Sequence, residues 1–232
     1  MSAVHAESVQ NGRVTETIPR NGAGARIAAE LRQAILDGRY APGARVRQED
    51  LAGQHGASRL PVREALRMLE SEGLVTLVAN TGAWVSQLSL AECQEMYQIR
   101  ERLEPLLLRY SIPHLDPSRV DQLELLADAM ERSSDVEQFL RLDREFHLSS
   151  YAAAETSVLG DTVEQLWNRT QHYRRAFTRV FRQEGDRSAH HDHHLMVHAI
   201  RRDDLDEAER VLHDHIRRTR LELARHPEVF EH

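Results

Sequence analysis

The hydrophobic residues near the N-terminus recur at the spacing of amphipathic helices. Ile27, Leu31 and Ile35 lie four residues apart, so they share one face of a predicted helix that ends before Gly38. After a turn that contains proline and glycine, a second, short helix is predicted over 48–55. This part of the chain is therefore expected to contain two helices separated by a tight turn.

The next segment combines a third helix with a hairpin. Val62, Leu66 and Leu69 form an apolar stripe in a helix predicted over 58–74, with a glycine at its end. Two short apolar runs on either side of a polar loop at 79–82 then predict two strands joined by that loop. Three helices followed by a two-stranded hairpin are the arrangement of a winged helix-turn-helix domain.

The remainder of the chain shows helical periodicity without a convincing strand. Apolar positions recur at helical spacing, as at Met96 and Leu103, and breakers separate six such segments. The expected fold class is therefore mostly α: an N-terminal winged helix-turn-helix followed by an all-α antiparallel bundle of about six helices. The predicted boundaries are a disordered tail at 1–22, the winged domain at 23–88, and an all-α domain at 89–228.

Composition bears on the compartment and on the distribution of charge. The chain of 232 residues shows no apolar run of membrane-spanning length and no apolar signal region, and its single cysteine, Cys93, cannot form an intrachain disulfide. We therefore expect a cytoplasmic protein without membrane association. The net charge of −7 is uneven, because residues 21–88 carry 8 arginines against 7 acids and residues 89–232 carry 20 against 28. The N-terminal domain is thus the better partner for phosphates.

The third predicted helix has features of a helix that enters a DNA groove. Ser58 stands at its N-cap and Pro61 lies in its first turn, where a missing N–H costs little. Arg59 and Arg63 are four residues apart, on a face away from the apolar stripe. A recognition helix presents arginines to phosphates and guanine edges in this way. An ordinary amphipathic surface helix with solvated arginines would show the same pattern.

The helical half of the chain contains a candidate metal site. Asp143 and His147 are four residues apart, so both side chains reach one point from one helix face. His193 and His215 continue the apolar stripes of two later helices and are therefore expected to point inward. Three imidazoles and one carboxylate can bind a divalent transition metal. The chain has 14 histidines, however, and solvated histidines with an Asp–His hydrogen bond would produce the same spacing.

The N-terminal domain resembles the DNA-binding domain of the GntR family of bacterial regulators. The motifs PG-x-R-V, LA, SR-x-PVREAL and L-x-x-EGL and the wing glycine occur in the family order over about 24–88. The resemblance implies a homodimer that binds two half-sites of a pseudo-palindromic operator in double-stranded DNA. Gln48 and Glu49 depart from the pattern, and Glu49 puts one of the usual DNA contacts in doubt. The DNA-binding residues implied are Arg47, Ser58, Arg59, Pro61, Arg63 and Gly82.

A D-x-x-x-H pair, a later histidine before an A-I helix end and a last histidine in A-x(6)-H occur in order in the helical half of the chain. With these motifs and its six predicted helices, the segment 90–215 resembles the C-terminal FCD ligand-binding domain of the FadR-type subfamily, in its shorter, VanR-like branch. The resemblance implies that 89–228 is an effector-binding and dimerisation domain. The resemblance implies a divalent transition metal, zinc with nickel or manganese as alternatives, and a small carboxylate effector bound beside it. Arg100 is implied as an effector-binding residue, and a salt bridge to Glu104 is the alternative. The sequence leaves open whether Arg174 and Arg175 line the pocket. The metal ligands implied are Asp143, His147, His193 and His215.

Together these features predict a transcriptional regulator, most often a repressor in this family, and not an enzyme. Two alternatives remain. One is a metal-sensing regulator without an organic effector. The other is a metal-dependent hydrolytic enzyme that activates water at an open position of the metal. The enzyme is disfavoured because the sequence has no HExxH motif and no evident general base beside the ligands.

Overall fold

The N-terminal domain packs three helices against a small sheet. The fold is that of a computed structural model, which describes residues 20–79, 81–184 and 188–230. The predicted tail lies outside these ranges as far as residue 19, and residues 20–22 form the first turn of a helix. The elements are α1 (Arg20–Leu36), β1 (Arg45–Val46), α2 (Gln48–His55), α3 (Arg59–Ser71), β2 (Val75–Val78) and β3 (Gly82–Val85).

The sheet contains a strand that the sequence pattern does not predict. β3 lies at the centre and pairs antiparallel with both β1 and β2, so the predicted hairpin is confirmed and a third strand is added to it. β1 has two residues, which is too short for an alternating pattern. It is held in place because Val46 is buried and pairs with Ala83 of β3.

The apolar stripes of α1 and α3 form the core of this domain. Ile27 and Leu31 of α1 and Val62, Leu66 and Leu69 of α3 are all buried in one cluster. Burying each large aliphatic side chain stabilises the fold by about 1.5–3 kcal/mol. Because this packing fixes the inward face of α3, it also decides which face is left for solvent.

The two ends of α3 differ in how well they match the sequence-based expectation. Ser58 has the extended backbone of an N-cap residue, but its side chain makes no capping hydrogen bond, contrary to expectation. At the other end Gly73 adopts a φ of 74°, and the Leu74 N–H donates to the Leu69 carbonyl at 2.9 Å. The predicted glycine stop is therefore confirmed, whereas the Ser58 hydroxyl does not cap the helix.

The described residues that follow the sheet form six α-helices, as predicted. In this bundle the fourth helix of the chain packs against the seventh and ninth, and the fifth contacts the sixth and eighth. Short 3₁₀ turns occur at Ile112–His114 and Pro227–Phe230. None of the described helices is long and apolar enough to cross a bilayer. The helices are α4 (Leu90–Ser111), α5 (Pro117–Arg132), α6 (Val136–Tyr151), α7 (Leu159–Glu184), α8 (Ser188–Arg201) and α9 (Leu205–Leu223).

Side-chain caps begin several of these helices. The Ser89 hydroxyl accepts a hydrogen bond from the Glu92 N–H at 3.2 Å, and the Glu92 carboxylate accepts one from the Ser89 N–H at 2.8 Å. This reciprocal capping box satisfies two main-chain donors at the start of α4. Asp116, Asp135 and Asp204 each accept the N–H three residues further on and begin α5, α6 and α9.

α7 also joins the bundle to the winged domain. The Tyr173 hydroxyl accepts a hydrogen bond from the Leu88 N–H at 2.6 Å and donates one to the Leu88 carbonyl at 2.9 Å. Asn168 and Arg175 donate to main-chain carbonyls at the C-terminal ends of α3 and α1, respectively. One helix therefore contacts the interdomain segment and two helices of the winged domain.

The two serine caps allow a matched test of helix capping. We expect Ser89→Ala to lower the free energy of unfolding by about 1 kcal/mol, because it removes an observed capping hydrogen bond. Ser58→Ala is the control, since its hydroxyl makes no such bond, and should change stability by no more than a few tenths of a kcal/mol. Urea unfolding monitored by circular dichroism measures both. Equal losses in the two variants would contradict the assignment.

Candidate metal centre and nucleic-acid interface

The exposed side of α3 and the adjoining sheet border an arginine-rich groove of about 650 Å³. Arg59, Arg63 and Arg67 occupy successive turns of α3 and are exposed. Residues of the segment before α2 and of the hairpin close the opposite side. Five guanidinium groups on one face create a site for phosphate and base edges. The arginines that line the groove are Arg45, Arg47, Arg59, Arg63 and Arg67.

The hairpin is braced by an arginine that was not among the predicted contacts. Arg45 Nη2 donates to the Thr81 carbonyl at 2.8 Å, and its guanidinium carbon lies 5.7 Å from the centroid of the Trp84 ring. Gly82 adopts a φ of 134°, a backbone conformation that residues other than glycine rarely adopt. This conformation lets the backbone of the wing turn closely at its tip, where it borders the groove.

Most of the predicted DNA-binding residues line this groove. In the described part of the chain the lining includes Arg47, Arg59, Arg63 and Gly82, but neither Ser58 nor Pro61. Pro61 lies in the first turn of α3, with its carbonyl directed toward α1. The groove is not purely basic, because Glu49 Oε1 lies 3.3 Å from an Arg59 nitrogen; both side chains are largely exposed. A phosphate would compete with that carboxylate for Arg59.

The four residues predicted to bind a metal lie together inside the bundle. Asp143 and His147 come from α6, His193 from α8 and His215 from α9. All four are buried, and each offers one ligand atom within 4.8 Å of the others. The Nε2 atoms of His147 and His193 are 3.3 Å apart, and Asp143 Oδ1 lies 3.7 Å and 3.4 Å from them. The cluster thus contains three imidazoles and one carboxylate oxygen.

Neighbouring groups orient two of these imidazoles for metal binding. The Tyr151 hydroxyl donates to Glu104 Oε2 at 2.8 Å, so its oxygen can accept the Nδ1–H of His147, 3.3 Å away. His215 Nδ1 lies 3.1 Å from Asp192 Oδ2. With Nδ1 carrying the proton, each ring leaves its Nε2 lone pair for a metal, which is the usual role of such outer hydrogen bonds. His193 Nδ1 is buried without a partner among the described residues.

Arg174 controls the charge of the cluster. It donates to Asp143 Oδ2, the oxygen opposite the one that faces the histidines. Burial by itself would raise the pKa of Asp143, but Arg174 and the neighbouring histidines outweigh it and hold that pKa well below its usual range. Burial lowers the pKa of His147 well below 6.5 and that of His193 to about 4. At neutral pH Asp143 is therefore ionised and the imidazoles of His147 and His193 are neutral, the forms that bind metals.

The geometry of the donor atoms fits a divalent transition metal. Ligand nitrogens bound to one ion at about 2.1 Å are separated by about 3–3.5 Å, and the two Nε2 atoms are already 3.3 Å apart. Nitrogen-rich mixed sites suit zinc or nickel, and carboxylate adds affinity for manganese. Asp143 can bind the ion through Oδ1 and keep Arg174 on Oδ2, so the ion pair does not block the site.

The neighbouring histidines do not share this environment. His191 and His198 on α8 are exposed, and His194 and His213 are partly exposed. The side chain of His190 lies outside the described residues. The choice of His193 over its neighbours rested on the apolar stripe of α8 and on the family resemblance. In the structure His193 is the histidine of α8 that lies beside Asp143 and His147.

Arg100 forms the ion pair that was the alternative to effector binding. It is buried, its Nε donates to Glu104 Oε1 at 2.5 Å, and its Nη1 donates to Thr170 at 3.0 Å. Its guanidinium also lies 4.5 Å from the centroid of the Trp167 ring, against which Arg174 packs as well. The arginine in direct contact with the metal cluster is thus Arg174, a residue whose orientation the sequence left open.

Two further groups at the cluster were missed, for different reasons. Tyr151 lies four residues after His147 and on the same face of α6, so the spacing D-x-x-x-H-x-x-x-Y could have revealed it. Asp192 precedes His193 but contacts His215 on another helix. That contact depends on how α8 and α9 are aligned, which no local pattern specifies.

Comparison with known proteins identifies the family. Residues 23–85 match the model described as bacterial regulatory proteins, gntR family, and residues 95–218 match the FCD domain. The chain belongs to the GntR family of bacterial regulatory proteins. Both family domains therefore coincide with the two cores seen in the structure.

Curated relatives of this GntR-family chain are named as regulators of transcription. It is 32% identical over 122 residues to the uncharacterized regulator YdhC of Bacillus subtilis, and this match covers 51% of this chain and 54% of YdhC. It is 29% identical over 147 residues to McbR of Escherichia coli (62% and 66%), and 30% identical over 148 residues to the gluconate operon repressor of B. subtilis (62% and 59%). The matches span about half to two thirds of these relatives. None is named as an enzyme.

The fold is shared with a solved structure of McbR from E. coli. That structure superposes with a TM-score of 0.77 over 88% of this chain and 97% of McbR, at 24% identity. The arrangement of a winged helix-turn-helix and a helical domain is thus common to both proteins.

Substitution of one histidine on α8 tests the metal centre. We expect His193→Ala to weaken zinc binding by more than about 100-fold, because even the hydrogen-bond partners of metal ligands contribute about 10- to 100-fold. His198→Ala on the exposed side of the same helix is the control and should bind zinc as the unmodified protein does. Calorimetric titration and metal analysis measure the effect, with circular dichroism as a check on folding. An unchanged zinc stoichiometry in His193→Ala would refute the site.

Proposed function

We propose that this protein is a cytoplasmic transcriptional repressor whose operator binding responds to a small organic acid held at a metal centre. It acts as a homodimer, in which two winged domains bind the half-sites of a pseudo-palindromic operator. The observation that carries the proposal is the combination of an exposed five-arginine groove in one domain with a buried Asp/His₃ cluster in the other. Relatives named as repressors support repression as the direction of control.

The DNA-binding part of the proposal assigns different tasks to the arginines. Arg59 and Arg63 lie on the exposed face of α3 and reach base edges or phosphates in the major groove. Arg47, at the start of α2, contacts phosphates. The wing around Gly82, braced by Arg45, lies along the minor groove. Glu49 restrains Arg59 in the free protein and releases it when a phosphate competes.

The effector part of the proposal uses the metal cluster. Asp143, His147, His193 and His215 would hold the ion, which supplies a Lewis acid for a carboxylate oxygen. Arg174 lies against the cluster and can bind a second carboxylate oxygen, since a guanidinium offers several donors in one plane. Arg100, held by Glu104, supports this arrangement through the Trp167 ring that both arginines contact.

The link between the two sites is α7. This helix carries Arg174 at the cluster and contacts the winged domain through Asn168 and Arg175. An acid that binds one placement of α7 more tightly than another would change the spacing of the two winged domains in the dimer. Unequal affinity for the two placements is the condition for such control.

The recognition helix is tested with two arginine-to-alanine variants that each remove one positive charge. We expect Arg63→Ala to reduce specific operator affinity by about 10- to 100-fold, since a base contact of this kind contributes about 1–3 kcal/mol. Arg39→Ala removes the same charge from an exposed position outside the groove and should have little effect. Fluorescence anisotropy with the operator and with unrelated DNA measures specificity. Specific operator affinity retained in Arg63→Ala would contradict the assignment of α3 as the recognition helix.

The effector is tested by thermal unfolding with lactate, succinate and benzoate. We expect at least one acid to raise the melting temperature of the zinc-loaded protein and not that of the chelated protein. At a ligand concentration a hundredfold above Kd, binding should stabilise the folded state by about 2.7 kcal/mol. The same acid should change operator affinity. Operator affinity that follows zinc concentration with no added acid would instead favour a metal sensor.

A further inference from the structure

A second groove lies between the winged domain and the helical bundle, away from both sites described above. It has a volume of about 460 Å³ and is bordered by the C-terminal end of α1 and by one face each of α6 and α7. Leu36, Leu140 and Leu148 give it apolar walls. None of the four metal-binding residues lines it.

Three buried side-chain atoms, each in a residue that lines this groove, have no hydrogen-bond partner among the described residues. They are Nη1 of Arg144, Oε1 of Gln171 and Nη1 of Arg175. Two other unpartnered buried side-chain atoms are found in the rest of the described chain, at Tyr97 and His193. Buried polar groups in proteins are normally bonded, so their concentration in one groove indicates a missing partner that belongs there.

Other atoms of the two arginines already have partners, which fixes the position of the unpartnered ones. Arg144 Nη2 donates to Asn168 Oδ1 at 2.7 Å, and Arg175 Nε contacts both oxygens of Glu137 at 2.9 Å. Burial lowers the pKa of Arg144 to about 10, although Glu164 Oε1 lies 3.7 Å from its Nη2. Gly38 lies under the Arg175 guanidinium, where a Cβ would come within 2.9 Å of Nη1.

Charges of both signs line the groove: three carboxylates (Asp37, Glu137 and Glu145) and three guanidinium groups (Arg141, Arg144 and Arg175). Glu137 is already bound by Arg175 and Arg179, and Glu145 is exposed. The buried atoms that lack a hydrogen-bond partner are two guanidinium nitrogens and one amide oxygen. An anion with an adjacent hydroxyl group matches them, because its oxygens accept from the arginines and its hydroxyl donates to Gln171.

We propose that this interdomain groove is a second ligand site, distinct from the metal centre, that takes a small hydroxycarboxylate with an apolar body. The carboxylate binds Arg144 and Arg175, the hydroxyl donates to the Gln171 amide oxygen, and the apolar part lies against the leucines. Because α1 belongs to the winged domain and α6 and α7 to the bundle, the ligand holds the two domains in their present contact. This site does not depend on the function assigned to the metal cluster.

Mandelate is the probe for the full-length protein treated with a chelator, with two matched analogues. Phenylacetate lacks the hydroxyl, and mandelamide lacks the charge. We expect a saturable rise in melting temperature with mandelate, about tenfold weaker binding of phenylacetate, and no shift with mandelamide. Chelation abolishes acid binding at a metal centre, so it separates this site from the proposed effector site. Absence of a saturable shift with mandelate would overturn the proposal.

Three variants locate the binding. Arg144→Met should weaken mandelate binding by at least about tenfold, whereas Arg141→Met, which removes an exposed charge from the rim of the same groove, should change it by less than about twofold. Gln171→Met keeps a side chain of similar length and removes the oxygen that has no partner, so it should remove the preference for mandelate over phenylacetate. Unchanged affinity in Arg144→Met, or a preserved preference in Gln171→Met, would place the ligand elsewhere.

Discussion

The buried ion pair between Arg174 and Asp143 is the interaction on which the interior of the helical domain depends. A carboxylate with 1% exposure would be strongly destabilising without a partner, and breaking such a pair costs about 3–5 kcal/mol. Arg174 compensates this charge while packed against the Trp167 ring. Burial keeps the imidazoles of His147 and His193 neutral even though the ionised carboxylate favours their protonation, so their lone pairs remain available at one point. The candidate metal centre is thus a consequence of how one charge is accommodated in the core.

The same helix that carries Arg174 also holds the winged domain in place. Tyr173 bonds both main-chain groups of Leu88, while Asn168 and Arg175 reach the ends of α3 and α1. Polar contacts of this kind are directional, so they fix an orientation without requiring a large apolar interface. A change at the cluster can therefore reach the winged domain through a single helix, provided that α7 has two placements of similar free energy.

The arginine-lined groove of the winged domain shows why the net charge of a whole chain is a poor guide to its partner. The protein carries a net charge of −7, yet five arginines line one groove of the winged domain. Charges interact with phosphate over about a Debye length of 8 Å at physiological salt, so local placement matters more than the sum. The acidic excess of the bundle lies in another domain and does not cancel the field at α3.

The local elements could be predicted from the sequence because their signals are local. The stripes of α1 and α3, the glycine stop after α3, the hairpin and the six helices of the bundle follow from side-chain periodicity and from residues that end helices. The pair Asp143 and His147 was readable for the same reason, since residues four apart on a helix share a face. The two-residue strand β1 carries no such signal and exists only through its pairing with β3.

Tertiary structure alone decided which distant residues meet. His147 and His193 are 46 residues apart, and their contact depends on how α6 and α8 cross. The ion pairs show the same limit. The sequence could not decide whether Arg100 binds Glu104 or an effector, and it could not predict that Arg174 binds Asp143. The interdomain groove needs the end of α1 beside α6 and α7. Periodicity specifies the face of a helix, whereas the packing of whole helices determines what that face contacts.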